Sequence, residues 1–266
     1  MLTLYFSATG NTKYIARLFS KAMGATCLSI EEEADFRAEI TAHDTIAFCY
    51  PIYASRAPLI MRRFVTEHAE LLRGKKLAIF ATQVAFSGDG ARSLLDLLPS
   101  GHVEVVYAEH FNMPNNVCNL WPLFRRQSKR GIARRFARAD GKIAAVSADM
   151  QAGRVKRRGF SRFSRVLGKL QAPAWLRKGE RIMGQNLKIN DNCTACNLCV
   201  SACPMRNLEN EQDKIVHKNN CTVCYRCVNL CPQRAITVFL HQKLRWQYRG
   251  LPPGVRCPSV LPKAKP

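Results

Sequence analysis

Acidic side chains are scarce in this 266-residue sequence: 19 Asp and Glu stand against 41 Lys and Arg, for a formal net charge of +22. A surface so unbalanced attracts anions, whether nucleic acid, anionic lipid headgroups or an acidic protein. Nowhere does the chain hold the ~20 consecutive apolar residues that span a bilayer. Its amino end lacks a basic flank and its first apolar run stops at Ser7, so it does not read as an export leader. The twelve cysteines are therefore expected in a reducing, cytoplasmic setting, where metal binding outranks disulfides. The familiar glycine-rich phosphate motifs are missing too: neither G-K-[ST] nor G-x-G-x-x-G occurs at the first loop.

What is present reads first as short apolar strands alternating with helical patterns. Strands are expected at Leu2 to Phe6, Thr26 to Ile30, Thr45 to Tyr50, Leu77 to Ala81 and Val103 to Ala108. Helices are expected at Thr12 to Met23, Leu59 to Leu72, Ala91 to Leu98 and Ile132 to Met150. Such alternation implies parallel pairing through right-handed crossovers, hence an α/β fold with a doubly wound, five-stranded parallel sheet. This unit is expected over 1–150. Residues 151–186 read as a basic connector, 187–240 as a small module and 241–266 as a tail, with five prolines from Gly250 onward.

The small module carries an internal repeat. CTACNLCVSAC (193–203) recurs as CTVCYRCVNLC (221–231) at an offset of 28 residues, and each copy ends at a proline. The spacing C-x2-C-x2-C-x3-C-P suits a cubane iron–sulfur cluster, because three thiolates at period three in a loop wrap three irons from one side. Zinc is the alternative, since paired C-x2-C units also make tetrahedral sites; it leaves the third cysteine of each run and the following proline unused. Residues 187–240 resemble the bacterial two-cluster ferredoxins. The resemblance implies a small α+β fold, two [4Fe-4S] clusters and one-electron transfer. It also implies crossed ligation, with one cluster on Cys193, Cys196, Cys199 and Cys231 and the other on Cys221, Cys224, Cys227 and Cys203.

Directly after the first strand stands Ser7-Ala8-Thr9-Gly10-Asn11-Thr12. Backbone N–H groups at a helix amino end favour an anion, Gly10 permits close approach, and Ser7, Thr9, Asn11 and Thr12 add neutral donors. The plain alternative is a helix cap, which favours the same residue types. The stretch resembles the flavin mononucleotide (FMN) loop of flavodoxins, matching S/T-x-T-G-x-T throughout. That resemblance implies FMN, with its phosphate on the loop. The ring would lie against loops after the third and fourth strands, offering Pro51, Ile52 and Tyr53, and Thr82, Phe86, Gly88 and Gly90, at strand carboxyl ends. The aromatics Tyr53 and Phe86 could equally plug those loops.

Taken whole, the chain resembles the flavodoxin–ferredoxin fusion family, and Met113-Pro114-Asn115-Asn116 resembles that family's sequence after the fifth strand. The expected function is electron transfer between FMN and two [4Fe-4S] clusters. Alternatives are an FMN-dependent reductase wired through the clusters, and a cluster-bearing nucleic-acid binder. The departure is charge, because flavodoxins are commonly acidic. From Arg125 to Asn186 eighteen Lys and Arg face Asp140, Asp149 and Glu180, a net of +15. Phe136, Phe160, Phe163 and Trp175 are interleaved there, as in single-strand binders, yet no nucleic-acid module is recognisable. Docking of an acidic redox protein, or peripheral contact with a membrane, is the expectation. Cys27, Cys49, Cys118 and Cys257 read as bystander thiols, and the six histidines form no ligand spacing.

Overall fold

The computed structural model describes residues 1–86, 88–120, 123–174, 179–239 and 241–251. Six parallel strands form one sheet in the order β2-β1-β3-β4-β5-β6. They are β1 (Leu2–Tyr5), β2 (Thr26–Ser29), β3 (Thr45–Pro51), β4 (Lys76–Gln83), β5 (Glu104–Asn112) and β6 (Lys156–Arg157). The central strands are apolar almost throughout, as they must be when both faces are covered. Alternate residues serve opposite cores. Leu4, Phe48 and Ile79 face α3 (Leu59–Glu67), while Tyr5, Cys49 and Phe80 face α1 (Asn11–Met23) and α4 (Lys129–Gln151). Tyr14 and Phe136 meet edge-on at 4.8 Å, fixing α1 beside α4.

The chain runs outward in both directions from β1 and β3. The loops at their carboxyl ends therefore diverge and open a crevice above the sheet, the usual ligand position in such folds.

Several elements differ from expectation. A short helix α2 (Phe36–Thr41), capped by the Asp35 carboxylate, lies between β2 and β3. Ala91 to Leu98 forms a 3-10 turn over Arg92–Leu97. The sheet gains a sixth strand from the stretch read as connector. β6 is tied to the domain by Asp149, which accepts from Tyr107 Oη (2.8 Å), Arg154 Nε (2.6 Å) and Lys156 Nζ (2.5 Å). Helices α5 (Arg162–Ala174) and α6 (Glu180–Gln185) follow. The buried Glu180 carboxylate pairs with Arg62 at 2.5 Å and so anchors α6 on α3. The basic stretch thus adds an edge strand to the sheet and touches the sheet domain again at Gly168, beside Gly88 and Asp89, and at Glu180, whereas Met183 packs against the second module's core.

The second module holds β7 (Leu187–Ile189) antiparallel to β10 (Ile236–Val238), and a hairpin of β8 (Leu208–Glu211) with β9 (Lys214–His217). Helices α7 (Leu198–Ala202) and α8 (Arg226–Leu230) follow the two cysteine loops. Leu244, Trp246 and Tyr248 of the tail are buried in this module's core. Trp175, Cys257 and the tail prolines lie outside the described residues.

Candidate flavin and iron–sulfur sites

The first loop leaves β1 at Phe6 and enters α1 at Asn11. Gly10 stands at φ +98°, which L side chains rarely adopt, and no atom of the described residues lies within 4 Å of where its Cβ would point. Its N–H donates to Ser7 Oγ at 3.2 Å, and Thr12 Oγ1 meets Thr82 Oγ1 at 2.8 Å, joining the loop to β4. Asn11 is engaged at both ends: its Nδ2 donates to Pro114 O (2.8 Å), and Tyr248 Oη donates to its Oδ1 (2.6 Å). Thr9 Oγ1 accepts from Asn116 at 3.3 Å. The loop is therefore held by the sheet, by the segment after β5 and by the tail together.

A cleft of about 500 Å³ opens beside it. Ser7, Thr9, Asn11, Thr12, Pro51, Ile52, Tyr53, Thr82 and Phe86 all line this cleft, so the structure brings these expected residues together. The loop after β3 is a tight reversal in which Tyr53 and Arg56 exchange backbone bonds of 2.9 Å. Ala54 and Ser55 sit at φ +45° and +63°, a backbone strain of the kind stored at ligand sites. Gly10, Gly88 and Gly90 are not in the lining. A Cβ on Gly88 would press on the backbone of Gly168 in α5, and one on Gly90 would strike Ile52. Both glycines serve packing beneath the loop. Arg135 of α4 supports the loop from behind, donating to the carbonyls of Val84 (2.8 Å) and Met113 (3.3 Å).

The residues present fit a flavin. Among the described residues the space at Gly10 is open, and the buried Tyr53 Oη and Gln83 Oε1 have no partner although both residues face the cleft. Buried polar atoms require partners, and a ring bearing carbonyls and ring nitrogens supplies them. The described lining holds no Asp, Glu, Lys, Arg or His. A phosphate there would meet only hydroxyls, amides and the helix amino end.

Sequence reasoning missed one wall of this cleft. Met183, Val223, Tyr225 and Phe239 come from beyond the sheet domain, and Asn116 donates to Cys224 O at 3.2 Å. A signal was available in the repeat. At the 28-residue offset Tyr225-Arg226 replaces Asn197-Leu198, and the symmetry breaks where the modules touch.

The cysteine loops are twisted alike. Ala195 and Val223 stand at φ +49° and +57°, Asn197 and Tyr225 both at +61°, and Arg206 and Arg234 at +48° and +51°. Positive φ at β-branched Val223 is costly, and repeated left-handed residues turn N–H groups inward. Val223 N donates to Cys221 Sγ (3.2 Å), Asn207 N to Cys203 Sγ (3.2 Å) and Ala235 N to Cys231 Sγ (3.3 Å). One cavity is lined by Cys203, Cys221, Cys224 and Cys227 together. The quartets are unlike in setting: Cys224 is buried and packs in the sheet domain's core, whereas Cys196 is exposed. Burial pushes the Cys221 thiol up to about 11 and Cys224 to about 12. Cys49 and Cys118 are buried, their thiols pushed up by burial, and Cys27 is half-buried.

Among the interleaved aromatics, Phe136 is buried in the core on the α1 and α4 side of the sheet and Phe160 packs against the opposite core, whereas Phe163 is exposed. No helix among the described residues is long and apolar enough to cross a membrane.

A doubly wound sheet with a neutral loop at its switch point, abutting a pseudo-twofold cysteine module, defines an FMN and iron–sulfur electron-transfer protein. Residues 2–180 match the flavodoxin domain family, and 185–232 match the 4Fe-4S dicluster domain. The chain belongs to the flavodoxin domain family, in the form of a flavodoxin–ferredoxin fusion. Among solved structures it is similar to a flavoprotein from Bacteroides eggerthii (23% identity, 43% of this chain and 89% of that one, TM-score 0.35). It is also similar to a flavodoxin from Megasphaera elsdenii (23%, 42% and 86%, 0.35) and to Flavodoxin 2 from Bacillus cereus (20%, 56% and 97%, 0.36). No curated protein matches the chain.

Proposed function

We propose that the protein converts between paired and single electrons, with FMN in the cleft between its modules and two [4Fe-4S] clusters beyond it. Cys203, Cys221, Cys224 and Cys227 hold the cluster nearer the flavin; Cys193, Cys196, Cys199 and Cys231 hold the outer one. The observation that carries this reading is the shared lining. Val223 and Tyr225, on either side of Cys224, face the same cleft as Ser7, Thr9 and Thr12.

FMN exchanges electrons in pairs or singly, whereas a cubane passes one at a time. The chain's own contribution is placement and exclusion of water. Val117, Leu120, Phe124, Met183 and Phe239 give the cleft an apolar wall, while Tyr53, Gln83 and the first loop offer its polar contacts. The described lining holds no group suited to moving protons for substrate chemistry, since burial pushes the Tyr53 hydroxyl well above its ordinary value. This favours an electron carrier over a reductase with its own small substrate. The outer quartet, with Cys196 exposed and Leu198 50% exposed, is where a redox partner would meet the chain. The basic helices α4 and α5 would favour an acidic one.

Anaerobic purification with iron, sulfide and flavin quantitation tests the reading. One FMN and about eight irons per chain are expected. Zinc in place of iron, or iron with no flavin under conditions of FMN excess, overturns it.

A further inference from the structure

The first loop contains no cation, yet one stands directly behind it. Arg226, from the other module, uses all five guanidinium N–H groups. Nε donates to Ala8 O (2.9 Å) and Nη2 to Ser7 O (2.7 Å). Both terminal nitrogens grip Glu31, at 2.6 and 2.7 Å, and Nη1 also reaches Ala202 O (2.9 Å). The guanidinium carbon lies 5.7 Å from the Phe6 ring centre. Glu31 follows β2, so one side chain ties together two loops of the sheet domain and the end of α7.

A trans peptide holds its C=O and the next N–H antiparallel. A cation gripping the carbonyls of Ser7 and Ala8 therefore turns the N–H groups of Ala8 and Thr9 to the opposite side. Ser7, Ala8 and Thr9 also line the cleft. Arg226 itself stands between Cys224 and Cys227, so its backbone is set by the winding of their cysteine loop.

We infer that Arg226 is the positioning residue for the flavin's phosphate loop, and that it makes FMN retention depend on the integrity of the adjacent iron–sulfur cluster. The inference rests on the flavin assignment proposed above. Its content is a coupling: the ferredoxin-like module completes a site whose loop belongs to the sheet domain. Loss of the cluster frees the loop between Cys221 and Cys227, withdraws the guanidinium and lets the Ser7 and Ala8 peptides rotate.

The test compares the full-length protein with Arg226→Gln and Arg226→Lys, measuring FMN dissociation constant, iron content and amide hydrogen exchange over residues 7–12. With iron retained, Arg226→Gln is expected to weaken FMN at least tenfold and to speed exchange in the loop. Arg226→Lys, which keeps the charge but loses the fork, should fall between it and wild type. Removing iron from the wild-type protein with a chelator should release FMN. An unchanged FMN constant in Arg226→Gln at full iron content overturns the inference, as does retention of FMN after iron removal. If Arg226→Gln loses its iron, the same criterion is applied to Arg226→Lys. If the wild-type protein binds no FMN, the flavin assignment fails, and loop exchange alone then decides whether Arg226 holds the loop: exchange unchanged in Arg226→Gln rejects it.

Discussion

Replacing Gly10 by alanine perturbs the phosphate loop with a single methyl group. A Cβ there meets no atom of the described residues within 4 Å, so they impose no clash. The conformation does the harm: φ is +98°, and an L residue forced to positive φ costs about 1–2 kcal/mol. Where that energy appears depends on how firmly the loop is held without ligand. The Gly10 N–H to Ser7 Oγ bond and the Gly10 O to Tyr14 N–H bond (3.0 Å) resist relaxation, which directs part of the loss into folding stability. The remainder appears as weaker FMN binding. The two losses should together reach about 1–2 kcal/mol, a factor of roughly 5–30 if all of it falls on affinity. Gly24→Ala is the control. It stands at φ +60° beyond α1, also with open space, and should lower stability alone. Urea denaturation and fluorescence titration with FMN measure both quantities. If Gly10→Ala changes neither, or if Gly24→Ala weakens FMN equally, the loop is not the phosphate site.

Other consequences are as direct. Cys196→Ser should lower iron by about half and leave FMN bound, whereas Cys224→Ser should lose iron and flavin together; equal flavin loss in both variants would refute the assignment of inner and outer quartets. Burial pushes the His110 imidazole down to about 4, against ~6.5 in the unfolded chain. The unfolded state therefore takes up a proton that the folded state refuses. Stability is complete above the unfolded value and falls as pH drops toward 4, by about 1.3 kcal/mol between pH 7.5 and 5.5. His110→Gln should flatten that dependence in urea midpoints, and an unchanged slope would reject burial as its cause.

The sheet was legible because its signals are local. Each central strand is a short apolar run, and α1 and α4 carry apolar residues at helical spacing. The two cysteine runs and the first loop were legible because chemistry fixes their spacing. What escaped depends on contacts between distant segments. Lys156–Arg157 has no strand signature and pairs only because β5 offers an open edge and Asp149 collects Lys156. In α2, Phe36 and Ile40 are two inward residues in a six-residue helix, too few to show a period. Gly88 and Gly90 stood in a loop at the correct strand end, but nothing local shows that α5 and Ile52 would press against them. Tyr225-Arg226 departs from its repeat counterpart Asn197-Leu198, but what the pair touches depends on the sheet domain packed against it.

The central claim is that flavin and nearest cluster share one interface inside a single chain. Flash photoreduction of the flavin, followed at wavelengths where the clusters absorb, measures this directly. The account predicts that cluster bleaching follows flavin reduction at a first-order rate unchanged by protein dilution. A rate that falls in proportion to dilution would show that electrons travel between molecules instead, and would contradict it.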